Sequence, residues 1–263
     1  METKVETKAL ADLVARPAPI PLYDTTVVAL PPGWTAQKYE QEEDKLPAPA
    51  RINRTVEAHE IGGFISYVNR FKSDATAQYC TGDKAPSLLA RLDDHQPGKP
   101  SHVEHVVKYP CPVTEEWTRW LTMSKKLCGQ KEFAEFIEDN IRDIVEPSGS
   151  AFLTAVTTFS DSRSVEMKSA QRLSDGMVQF SYTEKEGSAQ QVQFPTKLQI
   201  AVPIFMGVET RYALEARVKY RIKEEQLVLW FELDRPDLVR RAAYTELLEK
   251  VEKETALQVH RAI

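Results

Sequence analysis

The chain has 263 residues, with 34 Lys+Arg against 39 Asp+Glu and a formal net charge of −5, a balance that excludes a histone-like or polybasic protein. Apolar types make up 42% and charged types 28%, with 10 Gly and 16 Pro. That excludes collagenous, low-complexity and disordered classes and leaves enough apolar bulk for a packed core.

Residues 1–54 read as a Pro-rich N-terminal arm. Seven prolines fall in the first fifty residues, and proline blocks both helix propagation and pairing in a central strand. The arm also carries Leu13, Ile20, Leu22, Tyr23, Val28 and Trp34, more apolar bulk than a solvated tail tolerates. It therefore needs a covering surface, either its own domain or a neighbouring subunit.

From Thr55 the spacing becomes helical, with Ile61, Phe64, Ile65, Val68 and Phe71 on one stripe. Gly62-Gly63 inside it costs roughly 1 kcal/mol per glycine relative to alanine, so close packing is expected there. Three short extended pieces follow, Ala77 to Thr81, Leu88 to Asp93 and Val103 to Tyr109. Helical spacing returns in Thr114 to Ser124, with Trp117, Trp120 and Leu121 on one face, and in Lys131 to Val145, stopped by Pro147. Ser148 offers an N-cap for one more helix, with Phe152, Ala155, Val156 and Phe159 on its apolar face. Residues 55–160 are thus a mixed helix and short-strand region.

Residues 161–263 change period to 2. Arg163 to Ser174 and Met177 to Glu184 flank Asp175-Gly176, a strong hairpin signal. Val192 to Val202 is a third strand, Arg211 to Lys223 an almost perfectly alternating fourth, and Leu227 to Leu233 a fifth. Pro236 and Asp237 open a final helix with Ala243, Leu247 and Val251 on one stripe beside Tyr244 and Leu248. The predicted fold class is α+β: an antiparallel β-meander packed by helices, with an extended Pro-rich arm and 55–263 as one compact domain.

The chain lacks GxGxxG, P-loop and GxSxG signatures, and His59-Glu60 has no second histidine at HExxH spacing. The densest set of ligand-type residues is Asp93, Asp94 and His95 with His102, Glu104 and His105. Asp93, His95 and His105 are the metal candidates, for a divalent ion with an activated water. His102 and His105 point to opposite faces of an extended segment, so the competing reading makes Asp93-Asp94 a turn cap and His105 a satisfied sheet histidine. Arg211, Arg217, Lys219, Arg221 and Lys223 form a basic row at roughly 6.6 Å spacing, suited to a single-stranded polyanion. Cross-strand pairing with Glu232 and Asp234 is the alternative use of the same charges. Glu132, Glu135, Glu138, Asp139 and Asp143 read as the water-facing side of their helix. Cys80, Cys111 and Cys128 are an odd number without CxxC spacing, so reduced thiols are expected, and no stretch approaches the roughly 18 apolar residues of a membrane span.

Several phrases resemble one family. They include Leu92-Asp93-Asp94-His95, Tyr109-Pro110, Glu116-Trp117-Thr118-Arg119-Trp120, Glu132-Phe133-Ala134-Glu135-Phe136-Ile137, Arg217-Val218-Lys219-Tyr220-Arg221-Ile222 and Trp230-Phe231-Glu232-Leu233. From about Thr55 to nearly the end, the chain resembles the YfdQ-like family of phage and prophage proteins. The arm lies outside the resemblance, and Val103 stands where the family pattern has an aromatic. The resemblance implies a phage-encoded protein in the host cytoplasm and supplies no catalytic residues.

The expectation is a non-enzymatic phage protein that forms a homo-oligomer through its arm and acts by binding. Its partners are copies of itself and a host or phage protein, with no membrane and no cofactor. Two other readings stand beside it, a single-strand nucleic-acid-binding accessory to recombination and a metal-dependent hydrolase.

Overall fold

The computed structural model describes residues 20–22, 25–27, 48–49, 51–160, 165–172, 177–184, 189–223 and 226–261. The chain divides into two compact units, Met1–Ile52 and Asn53–Ile263. In the first, β1 (Ile20–Leu22) and β2 (Thr25–Val27) pair antiparallel with Ile20 opposite Val27. Pro21 sits in this two-stranded ribbon, where an edge position tolerates its missing N–H. Ile20 and Leu22 belong to β1, whereas Leu13, Tyr23, Val28 and Trp34 lie outside the described residues.

Among the described residues the second unit holds two five-stranded sheets, one three-stranded sheet and five helices. The first sheet has the order β15-β4-β5-β6-β3, from β3 (Arg54–Glu57), β4 (Ala77–Cys80), β5 (Leu88–Arg91), β6 (His105–Tyr109) and β15 (Val259–Arg261). The centre is antiparallel, and the two edge strands run parallel to their neighbours. Residues 54–57 are thus a strand, and the helical stripe begins only with α1 (Ile61–Phe71), which buries Ile61, Phe64, Ile65 and Val68. At Gly62 an added Cβ meets nothing within 4 Å, and at Gly63 only Ala58 at 3.9 Å, so the glycine pair is not a close-packing device.

The inner face of this sheet carries Gln78, Cys80, Leu88, Ala90, Val107 and Tyr109, all buried. α1 and α5 (Pro236–Thr255) cover it. Burial of Ala243, Tyr244, Leu247 and Val251 matches the predicted stripe of the last helix. Each large side chain removed from water here contributes roughly 1.5–3 kcal/mol. Gln78 Nε2 donates to Thr255 Oγ1 at 2.7 Å, and the Tyr244 hydroxyl reaches the carbonyls of Thr81 and Ser87 at 3.1 Å each.

The second sheet has the order β7-β14-β13-β12-β8, all antiparallel. Its strands are β7 (Cys128–Gly129), β8 (Ile144–Glu146), β12 (Lys197–Val202), β13 (Tyr212–Lys223) and β14 (Gln226–Leu233). Leu214, Ala216 and Val218 are buried, and Glu215, Arg217 and Lys219 exposed, as alternation requires. The inner side packs on α2 (Glu115–Met123), α3 (Gln130–Asp139) and α4 (Gly149–Ser160). Trp120 on α2 lies 5.0 Å from Phe136 on α3 and 5.3 Å from Phe231 on β14. Met123 completes the α2 stripe, while Leu121 points outward.

The predicted helix to Val145 stops at Asp139. Asn140 Nδ2 donates to the Phe136 carbonyl at 2.8 Å, a 3-10 turn follows over Ile141–Asp143, and Ile144 pairs with Ile200 in β8. Asp143 is therefore buried rather than water-facing. Ser148 Oγ accepts the Ala151 N–H at 3.3 Å, the expected cap. At Gly149 a Cβ would lie 2.6 Å from the Ile141 carbonyl oxygen, so this is where a glycine is required.

β9 (Val165–Arg172), β10 (Met177–Glu184) and β11 (Ala189–Pro195) make a separate three-stranded antiparallel sheet. Val178 lies opposite Arg172, and 173–176, with the predicted Asp-Gly turn, lie outside the described residues. The strand expected at 192–202 breaks after Pro195, and its second half joins the five-stranded sheet. The architecture is α+β, with the meander divided between two sheets.

Candidate functional site

The ligand-type cluster is dispersed into structural hydrogen bonds. Asp93 accepts the backbone N–H groups of Glu104 (3.1 Å) and His105 (3.0 Å), closing the 93–105 loop. His95 is exposed, and its Nδ1 accepts the Ser101 N–H at 2.9 Å. His105 is buried, its Nε2 2.9 Å from the Tyr67 hydroxyl and its ring edge-on to Phe71. Burial holds its pKa below 6.5, against the opposing pull of Asp93. Among the described residues no group of three or more His, Cys, Asp or Glu converges as a metal ligand set. Val103 in the same loop has φ 55°, a left-handed conformation strained for a β-branched residue.

The basic row is also reassigned. Arg211 precedes β13, and its Nη2 donates to Asp143 Oδ1 at 2.6 Å. Arg217 pairs with Asp234 at 3.2 Å and Lys219 with Glu232 at 2.7 Å. Hydrogen bonds from Lys219 and Trp230 hold the Glu232 carboxyl below the usual carboxylate range. Register puts Lys197, Arg217, Lys219, Arg221 and Lys223 on one sheet face with Glu146, Glu215 and Glu232, and Asp234 pairs with Arg217 there, five cations beside four carboxylates. The side chain of Lys223 is outside the described residues. Trp230 does share this face, opposite Lys219, while Arg217 and Lys219 are already held by carboxylates, which lowers the counterion-release advantage of a polyanion there.

The third surface is the outer face of the first sheet. Its register aligns one residue from every strand in a single row, His260, Tyr79, Leu89, Lys108 and Glu57. The neighbouring row is Ala77, Arg91, Val106 and Thr55. Tyr79, Leu89, Arg91 and Val106 are half-buried, and Lys108, Glu57 and His260 exposed. Both helices that cover this sheet lie on its other face. Tyr79 donates its hydroxyl to Asp94, and that bond, with burial, raises its pKa. The Arg91 guanidinium sits 5.3 Å over the Tyr79 ring and 3.7 Å from Asp94, and the His260 ring lies 6.0 Å from that of Tyr79. A cavity of about 390 Å³ opens on this side, lined by Tyr79, Leu89, Pro110, Lys108 and Glu57 among others. The register thus sets an aromatic and two aliphatics between opposite charges on one sheet face.

The three thiols are buried. Burial pushes Cys111 up to about 12 and raises Cys80 and Cys128 as well, so none is a thiolate at neutral pH. The outer-face row is invisible in the local sequence because its members come from five strands whose neighbours are set by tertiary pairing.

A model of the family described as "Uncharacterized conserved protein (DUF2303)" matches residues 1–261. It spans the Pro-rich leader as well as the body. No curated protein and no solved structure matches the chain. No described helix is long and apolar enough to cross a membrane.

Proposed function

We propose, since the chain belongs to the DUF2303 family of uncharacterized conserved proteins, that it is a phage- or prophage-encoded member that assembles with copies of itself and works by binding in the host cytoplasm. The YfdQ-like phrases from Leu92 to Leu233 support the phage assignment. The observation that carries the binding reading is the outer face of the first sheet, where Tyr79, Leu89 and Lys108 border a 390 Å³ cavity. The polar groups elsewhere that resembled chemistry, Asp93, His95 and His105, are engaged in holding a loop and a strand. The leader supports self-association because it is a compact unit of its own, residues Met1–Ile52, and carries the apolar set from Leu13 to Trp34.

The test uses the intact chain with Leu13→Asp and Trp34→Asp together. The native mass of the variant is expected to drop to that of one chain while its far-UV dichroism stays unchanged. An unaltered oligomer would remove the leader from the assembly.

A further inference from the structure

We infer that the outer face of the first sheet docks on the same face of a second copy, about a two-fold axis lying along β5. This rests on the self-association reading but uses a different surface from the leader. β5 is the central strand, with two strands on each side, and Leu89 is the central member of the row. A two-fold along β5 leaves strand direction unchanged and reverses the row. It sets Glu57 opposite the partner's His260, Lys108 opposite the partner's Tyr79, and Leu89 opposite the partner's Leu89. In the neighbouring row it sets Ala77 against the partner's Val106. An axis along the row itself would instead oppose Glu57 to the partner's Glu57 and Lys108 to the partner's Lys108. Like charges directly opposed are unfavourable, and they select the first arrangement.

The one self-opposed cation, Arg91, is already turned aside. Its guanidinium leans over the Tyr79 ring and toward Asp94. Stacking with strands nearly aligned is the ordinary geometry of two packed sheets, and the cavity beside Leu89 gives room for the partner's Leu89. The row is roughly 19 Å across, from four strand spacings of about 4.8 Å. With strands of three to five residues, that is a small plate beside the roughly 800 Å² per partner of a standard interface. The contact is therefore a weak one that gains strength from a second tether.

The experiment is sedimentation equilibrium of the full chain, of Glu57→Lys, and of Glu57→Lys/His260→Glu. Glu57 and His260 are exposed edge-strand residues, so the fold tolerates both changes. Glu57→Lys is expected to raise the dimer dissociation constant roughly tenfold or more, because the carboxylate facing the partner's His260 ring is replaced by an ammonium, to which this ring cannot donate. The double variant sets a cation against an anion at the same place and is expected to recover dimerisation to within about threefold. No effect of Glu57→Lys, or no recovery in the double variant, overturns the inference. If the leader variant dissociates while Glu57→Lys does not, the leader reading survives alone, and the reverse result leaves the face without the leader.

Discussion

At the scale of single residues, His105 ties a sheet strand to a helix through a neutral ring. Its Nε2 meets the Tyr67 hydroxyl, and Asp93, Arg54 and two aromatic rings surround it. Burial lowers its folded-state pKa below 6.5, against a positive pull from Asp93 and a further lowering by Arg54. Below that value the unfolded chain binds the proton more readily than the folded one, so stability is fully present above about pH 6.5 and is lost as pH falls toward the folded pKa. Denaturant midpoints at about pH 7.5 and about pH 5.5 check this. The parent is expected to lose more stability on acidification than His105→Gln, and equal losses would contradict the assignment. The sequence already allowed His105 to be a sheet histidine, because alternation beside Val103 and Val107 pointed it inward. It could not show that Tyr67, 38 residues away, supplies the partner.

Among the elements, a single buried carboxylate joins three of them. Asp143, in the turn after α3, accepts Trp120 Nε1–H from α2 at 2.9 Å and the Arg211 guanidinium beside β13 at 2.6 Å. Asp143→Ala leaves a buried indole donor without a partner and is expected to cost about 2–4 kcal/mol. Arg211 is 46% exposed against 8% for Asp143, so water replaces part of its loss, and Arg211→Ala is expected to cost about 1 kcal/mol or less. Urea unfolding of both variants decides it, and equal costs would show that the bond to Trp120 contributes nothing. Periodicity alone put Asp143 on the wet side of a long helix. That reading failed because Asn140 ends the helix and reverses which side faces the core. The elements that periodicity did locate, α2, α5 and β13, are those with a long uninterrupted stripe. β3 and β15, at four and three residues, are too short to carry one, and the break after Pro195 depends on which sheet each half joins.

For the whole molecule, composition and alternation sufficed for an α+β body with a proline-rich leader, but not for the division of the meander into two sheets. The candidate surface was the least legible part, since its row is assembled from residues as far apart as Glu57 and His260. The basic row, by contrast, was fully legible: the charges are where alternation put them, and Arg211, Arg217 and Lys219 also meet the carboxylates of Asp143, Asp234 and Glu232, which their own sequence could not show. The proposed function assigns the leader and the outer face of the first sheet to contacts with other protein. Sedimentation equilibrium of the unmodified full-length chain tests that most directly. The expected result is a mass above 29.9 kDa that rises with concentration toward a multiple of it, and a mass fixed at 29.9 kDa across the accessible concentration range would contradict self-association.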